Sequence, residues 1–247
     1  GSGGKGILVI TGREGDDFIK PSGARVSLEE MERHLSNILA GLYSLGGAPD
    51  VAVIEDLVRC DPRLARYSHE GVPDIRIIVF KGYPVMAMLR LATHASDGKA
   101  NLHQGAVGVG LNLANGRALN AVQFDRPVER HPDNGLLLSE IKIDNWHYLL
   151  NMASRCYEAT GLGYMGVDLV VDEHRGPLLL ELNARPGLAI QVANGQGLLP
   201  RLKAVEALKR PHLTPEERVY WAMTQAGATH ITAPRRDHPE LDALLPM

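Results

Sequence analysis

Two hydrophobic periods alternate along this chain: a period of two that predicts strands and a period near 3.6 that predicts helices. After Gly1-Ser2-Gly3-Gly4-Lys5-Gly6 comes the apolar run Ile7-Leu8-Val9-Ile10, a glycine-rich turn feeding a strand. Ser27-Leu28-Glu29-Glu30 has the pattern of a capping box, and Leu28, Met31, Leu35, Ile38 and Leu42 continue at helical spacing to a stop at Gly46-Gly47. Val51 to Ile54 reads as a buried strand ending in Glu55-Asp56. Ile75 to Phe80 and Val85 to Leu91 flank a tight turn at Lys81-Gly82, and either register of that hairpin brings Asp74 and Arg90 to the same open end. Gly108 to Asn112 and Arg117 to Phe124 flank Asn115-Gly116, a type I′ hairpin signal. Asn145 to Thr160 carries Trp146, Leu149, Leu150, Ala153 and Tyr157 at helical spacing and stops at Gly161. Leu198 to Leu208 and a start at Thr214-Pro215-Glu216-Glu217 mark two further helices, and the polar, proline-rich segment from Ala226 onward reads as a tail. Antiparallel hairpins with interspersed helices make an α+β arrangement.

The segment from Tyr164 to Gly187 carries the most chemistry. A four-residue turn at Glu173-His174-Arg175-Gly176 sets Asp172 opposite Pro177, Asp168 opposite Glu181 and Gly166 opposite Asn183. Val167, Leu169, Val171, Leu178, Leu180 and Leu182 then share the other face, which is expected to pack in a core. Like charges opposite each other on neighbouring strands repel unless something positive lies between them. A hard divalent cation is the simplest remedy, and the all-oxygen set Asp168, Glu181 and Asn183 favours magnesium or manganese over zinc. Spacing alone leaves open that both acids sit on a solvated face. It equally leaves Asp74 and Arg90 open as a surface ion pair, and the glycine-rich start open as a flexible tail rather than a phosphate-binding loop.

Composition narrows the class. The 247 residues suffice for one large domain or two small ones, and 45% apolar with 22% charged residues is ordinary for a globular protein. A net charge of −3, with Lys and Arg scattered, argues against a nucleic-acid partner. Cys60 and Cys156 show no paired spacing, so neither a disulfide framework nor a zinc site is expected, and a reducing cytoplasm fits best. No apolar run reaches the roughly 18 residues that span a bilayer, so no membrane partner is expected. No GxGxxG follows a first strand, and GxxxxGK[ST] and GxSxG are absent.

Five ordered segments together resemble the ATP-grasp superfamily, most closely its RimK-like branch of α-L-glutamate ligases. They are SGGKGI at the start, VIEDLV at Val53 to Val58, DIRIIVFKGYPV at Asp74 to Val85, KANLHQG at Lys99 to Gly105, and GVDLVVDEHRGPLLLELNARPGL at Gly166 to Leu188. The resemblance implies two α+β subdomains with antiparallel sheets gripping ATP. Residues 1–50 would be the remainder of the first, residues 51–200 the second with its Mg-ATP site, and residues 201–247 C-terminal helices and tail. It also implies that an N-terminal domain and a strand ending in a lysine belong upstream of Gly1.

The activity implied is ATP- and magnesium-dependent joining of a carboxylate to an amine through an acylphosphate, for instance addition of an amino acid such as glutamate to a peptide or small molecule. The resemblance gives roles to individual residues. Asp168, Glu181 and Asn183 hold magnesium or manganese; Gly3 and Gly4 lie in the phosphate loop; Glu55 and Asp56 meet adenine; Asp74 accepts ribose hydroxyls. Lys99 and Asn101 reach the phosphates, and Arg90 steadies the transferred phosphoryl group. Where the glutamate ligases usually carry Arg-Ser-Asn, this chain has Lys99-Ala100-Asn101, and Arg185 stands where serine is usual, so the substrate pair stays open. Two other classes remain beside the ligase: a nucleotide-binding module without turnover and a metal-dependent phosphohydrolase. A homo-oligomer is equally compatible with the sequence.

Overall fold

In the computed structural model of the chain, residues 6–209, 211 and 214–231 are described. Two compact units divide between Arg59 and Cys60. In the first, β1 (Gly12–Glu14), β2 (Asp17–Ile19) and β3 (Arg25–Val26) form a small antiparallel sheet in that order. Helix α1 (Leu28–Leu39) starts as its sequence requires: the Ser27 hydroxyl accepts from the Glu30 N–H and the Glu30 carboxylate accepts from the Ser27 N–H. It stops well before Gly46-Gly47, because the chain turns at Gly41, whose φ is +79° and where a Cβ would lie 2.1 Å from the Ala48 carbonyl oxygen.

Two strand expectations fail in this unit. Ile7 to Ile10 and Val51 to Ile54 join no ladder, and Val51, Val53 and Ile54 are 71%, 74% and 88% exposed. An apolar β-branched run becomes a buried strand only where a neighbour takes its backbone groups and a layer covers its side chains, and the described residues of this unit supply neither.

The second unit is built on a seven-stranded antiparallel sheet. Its members are β4 (Asp74–Phe80), β5 (Tyr83–Leu91), β6 (Val107–Leu111), β7 (Ala118–Gln123), β8 (Arg126–Pro127), β9 (Tyr164–Asp172) and β10 (Gly176–Asn183), in the order β10-β9-β4-β5-β6-β7-β8. Alternation along each strand splits the side chains between two cores. One face buries Ile75, Ile77, Leu89, Val109, Val167 and Leu169 under α3 (Trp146–Thr160) and α6 (Pro215–Ile231). The other buries Ile78, Met86, Met88 and Val122 under α4 (Ile190–Asn194) and α5 (Leu199–Glu206). A short helix, α2 (Pro62–Ala65), precedes the sheet.

Local signals place most of these elements. Lys81 and Gly82 both have positive φ and close Phe80 against Tyr83 as a two-residue turn. Helix α3 ends at left-handed Gly161, as its sequence predicts. Thr214 and Glu217 cap α6 reciprocally. The type I′ turn at Asn115-Gly116 is not formed: only Gly116 has positive φ, and the loop runs from Asn112 to Arg117. Packing decides that shape, because Trp146 lies against Gly116 and donates its indole N–H to the Leu113 carbonyl at 2.8 Å. Nor does a tail begin at Ala226; α6 continues to Ile231 and Ala226 is 4% exposed within the core.

Helix α4 sits directly on backbone at Gly110, where a Cβ would come 2.4 Å from the Ala193 carbonyl oxygen. Asn194 ties the same helix to β5 by donating to the Ala87 carbonyl at 3.0 Å. Gly110→Ala is therefore expected to destabilise the second unit by about 1–3 kcal/mol, since helix or sheet must shift to admit one methyl group. Gly163→Ala, with nothing within 4 Å and no positive φ, should hold or slightly raise stability. Denaturant melts of both variants check the pair.

Candidate active site

Strand alternation puts Asp74 and Arg76 on the α4 and α5 face of β4, away from Ile75 and Ile77. Cross-strand pairing then assembles a row of charges. Asp74 lies opposite Arg90 on β5, Arg76 opposite Asp168 on β9, and Asp168 opposite Glu181 on β10, with Gly166 opposite Asn183.

The hairpin register predicted for Asp168 and Glu181 is thus observed, but through two compensating deviations. The turn closes one residue tighter, with Asp172 opposite Gly176, because the Asp172 carboxylate accepts the N–H groups of His174 and Arg175 at 3.0 and 2.9 Å and Gly176 takes φ +73°. A bulge between Leu179 and Glu181 restores the pairing. Leu180 falls at that bulge and is 54% exposed, so the expected packed face holds for Val167 and Leu169 but not for Leu180 on the edge strand. A second bulge, between Ile78 and Val79 against β5, aligns Asp74 with Arg90.

The charges alternate in sign along a continuous chain of contacts. Arg90 Nε donates to Asp74 Oδ1 at 2.6 Å and its Nη2 to Asp168 Oδ2 at 2.8 Å. Arg76 grips Asp168 with both ends of its fork, Nε to Oδ1 at 2.7 Å and Nη2 to Oδ2 at 2.5 Å, and Nη2 lies 3.8 Å from Glu181 Oε1. Asn183 Nδ2 donates to Glu181 Oε1 at 2.8 Å and reaches Asp168 Oδ2 at 3.4 Å. The Asp168 side chain is wholly buried, whereas that of Glu181 is 58% exposed.

Electrostatics separate the two buried acids. Burial dominates at Asp74 and pushes its carboxyl up to about 6, although Arg90 pulls the other way. Burial also opposes charge on Asp168, but the Arg76 hydrogen bonds and both guanidinium charges outweigh it, so its pKa lies below the ordinary carboxylate value. Arg90 is held above its usual value against burial by Asp74 and Asp168.

The other predicted residues are placed less closely. Lys99 is paired with Asp97 at 3.3 Å, and Asn101 caps a single turn, Leu102–Gln104, by accepting the His103 N–H at 3.1 Å. That turn rests beside the charged row, since Leu102 packs on Gly108, the β6 residue opposite Arg90. Next to it is a small open cavity lined by Leu102, His103, Val122, Phe124, Asp125 and Ala189. Glu55 and Asp56 lie in the exposed last segment of the first unit, and Gly3 and Gly4 fall outside the described residues.

Arg76 is the residue that sequence reasoning undervalues. From β4 alone it is a neighbour of Asp74; its actual partner, Asp168, is 92 positions away on a strand whose pairing no local signal announces. The oxygen set Asp168, Glu181 and Asn183 is of the kind that could hold a hard divalent cation, and its two acids stand opposite each other, with both Asp168 oxygens accepting from guanidinium groups. Arg76 supplies positive charge between them.

Comparison with known proteins identifies a family. The sequence matches the sugar-transfer associated ATP-grasp family over residues 1–207. It is 33% identical over 129 residues to a probable alpha-L-glutamate ligase of Parasynechococcus marenigrum (strain WH8102), an alignment covering 52% of this chain and 20% of that protein. Among solved structures, the ATP-grasp ligase PsnB complexed with a phosphomimetic variant of minimal precursor, Mg and ADP is 16% identical with a TM-score of 0.33, over 56% of this chain and 34% of that one. PsnB complexed with minimal precursor is 13% identical with a TM-score of 0.30, over 62% and 35%. The chain therefore spans about a fifth of the curated relative and about a third of the PsnB chains. With a family match over residues 1–207, the chain belongs to the sugar-transfer associated ATP-grasp family.

Proposed function

We propose that this chain carries the metal and phosphate end of an ATP-dependent carboxylate–amine ligase. The observation behind the proposal is the row Asp74, Arg90, Asp168, Arg76, Glu181, Asn183 on one sheet face, in a chain of this family. In the proposed reaction a carboxylate oxygen attacks the γ-phosphorus of ATP and ADP leaves. An amine then adds to the acylphosphate carbonyl, phosphate leaves, the nitrogen gives up its proton, and an amide or peptide bond remains.

This reaction concentrates negative charge on phosphoryl oxygens and calls for positioning and cations rather than a protein nucleophile. Arg90 would neutralise the phosphoryl group in transfer, and Lys99 and Asn101 would contact phosphate oxygens. Asp168, Glu181 and Asn183 would hold magnesium or manganese, which supplies charge neutralisation at the phosphates. Asp74, in its ionised form, would accept the ribose hydroxyls. In the first unit Glu55 and Asp56 would meet adenine and Gly3 and Gly4 the phosphates, by resemblance alone. The glutamate-ligase relative favours an amino acid such as glutamate as one of the two substrates, added to a peptide or small molecule.

Glu181→Gln tests the proposal. It removes charge at nearly constant volume from a side chain 58% exposed, so the melting temperature should stay within a few degrees. Mg-ATP-dependent ADP release with L-glutamate and a panel of carboxylates should fall by about 10²-fold or more. Unchanged turnover would remove the metal assignment, and equal ADP release without carboxylate or amine would favour a phosphohydrolase.

Asp74 gives a pH test. Its carboxyl is protonated below about 6 and then no longer accepts two hydroxyl hydrogen bonds. At pH 7.5 the Asp74→Asn variant should bind ATP about tenfold more weakly than the parent, and that ratio should shrink toward one at pH 5. Titration calorimetry at the two pH values measures it; a constant ratio would remove Asp74 from the nucleotide contacts.

A further inference from the structure

We propose that Arg76 is the resident counter-ion of this site: it neutralises Asp168 and Glu181 before ligand arrives, and a divalent cation reaches them by displacing it. The inference rests on the reading of Asp168, Glu181 and Asn183 as the metal-holding set.

Three observations carry it. The first is occupancy. Both Asp168 oxygens already accept hydrogen bonds from Arg76, at 2.7 and 2.5 Å, and the same Nη2 stands 3.8 Å from Glu181. Two acids opposite each other on neighbouring strands need a positive group between them, and this guanidinium is placed there. A metal ion at Asp168 would have to compete with Arg76 for both oxygens, and Oδ2 also accepts from Arg90 Nη2 at 2.8 Å.

The second is the division of labour between the two arginines. Arg90 is anchored at its other end to Asp74 at 2.6 Å, so it stays in place whatever happens at Asp168. The two acids Arg76 directly contacts, Asp168 and Glu181, both belong to the metal set, so arrival of a metal removes those partners, while Asp74 acts on Arg76 only through space. The third is the exit. Pro186 closes the sheet face over Gly166, where a Cβ would lie 2.8 Å from Pro186 Cβ and 3.8 Å from Arg76 Nε. Arg76 itself is 12% exposed and its partner Glu181 58%, so the pair is open to solvent at Glu181.

The consequence is an order of binding. A bidentate arginine–carboxylate pair is among the strongest neutralising contacts, so a metal ion alone must overcome it. A metal ion accompanied by a polyphosphate also brings the negative charge that a released guanidinium needs. Free metal should therefore bind weakly, and metal with nucleotide well. Arg76 acts here as a positioning residue.

The test measures Mn²⁺ binding to the nucleotide-free full chain by electron paramagnetic resonance, with no turnover required. Arg76→Gln is expected to bind Mn²⁺ at least about tenfold more tightly than the parent, and Arg76→Lys, which keeps charge but loses the fork, about threefold more tightly. Glu181→Gln combined with Arg76→Gln should abolish the gain. If Arg76→Gln does not fold, as judged by its melting curve, Arg76→Lys decides alone, and an unchanged affinity in that variant overturns the proposal. Mn²⁺ binding that is equal or weaker in Arg76→Gln, but weakened by Glu181→Gln, overturns the counter-ion role and leaves the metal site standing. Binding insensitive to both substitutions overturns the metal reading and the proposal with it.

Discussion

A carboxylate at zero exposure in the middle of a sheet cannot stay ionised without partners, and the arrangement around Asp168 follows from that constraint. Its two oxygens are met by Arg76 from β4 and Arg90 from β5, and the register of three strands must be correct for both to arrive. A slip of one residue in β4 would turn Arg76 into the opposite core, among Leu89, Val109 and Leu169. The buried charge is thus a strong selector of register, and removal of either arginine would leave it partly uncompensated. Specificity rather than stability is what such a cluster is expected to provide, since a hydrophobic replacement of equal shape would pack as well.

The apolar half of the same face holds the row still. Met86, Met88 and Ile78 continue β5 and β4 beyond Arg90 and Arg76, and α4 covers them by resting on Gly110 with no side chain between. On β6, Gly108 likewise receives Leu102, which brings the Lys99-to-Gln104 loop beside Arg90. Two glycines in one strand thus decide what may approach the charged residues: a helix at one and a loop at the other. The opposite face, under α3 and α6, is uniformly apolar and gives the sheet a rigid back.

How much of this was legible in the sequence depended on the distance along the chain between partners. Caps at Ser27 and Gly161, the two-residue turn at Lys81-Gly82 and the facing of Asp168 with Glu181 all involve near neighbours, and local chemistry was sufficient. Even there the agreement for Asp168 and Glu181 required a tighter turn and a bulge at Leu180 that cancel, and neither was predicted. The bond from Arg76 to Asp168 depends on β4 lying beside β9, a choice made by burial of the whole sheet rather than by any residue in either strand. Val51 to Ile54 shows the converse: the run has strand composition, yet its neighbours within the unit give it no ladder.

The unequal treatment of Asp74 and Asp168 has a functional logic that neither residue shows alone. Both are buried acids on one face, but Asp168 receives three guanidinium contacts and Asp74 only one. The carboxyl of Asp168 is therefore held below the ordinary carboxylate value, while that of Asp74 keeps its proton up to about 6. Arg90, shared between them, couples the two states: protonation of Asp74 frees one end of Arg90 and leaves the guanidinium to Asp168 alone. Asp74, proposed to accept hydroxyls in its ionised form, is ionised only above about 6, whereas Asp168, proposed to bind metal, is held below the ordinary carboxylate value by its arginines.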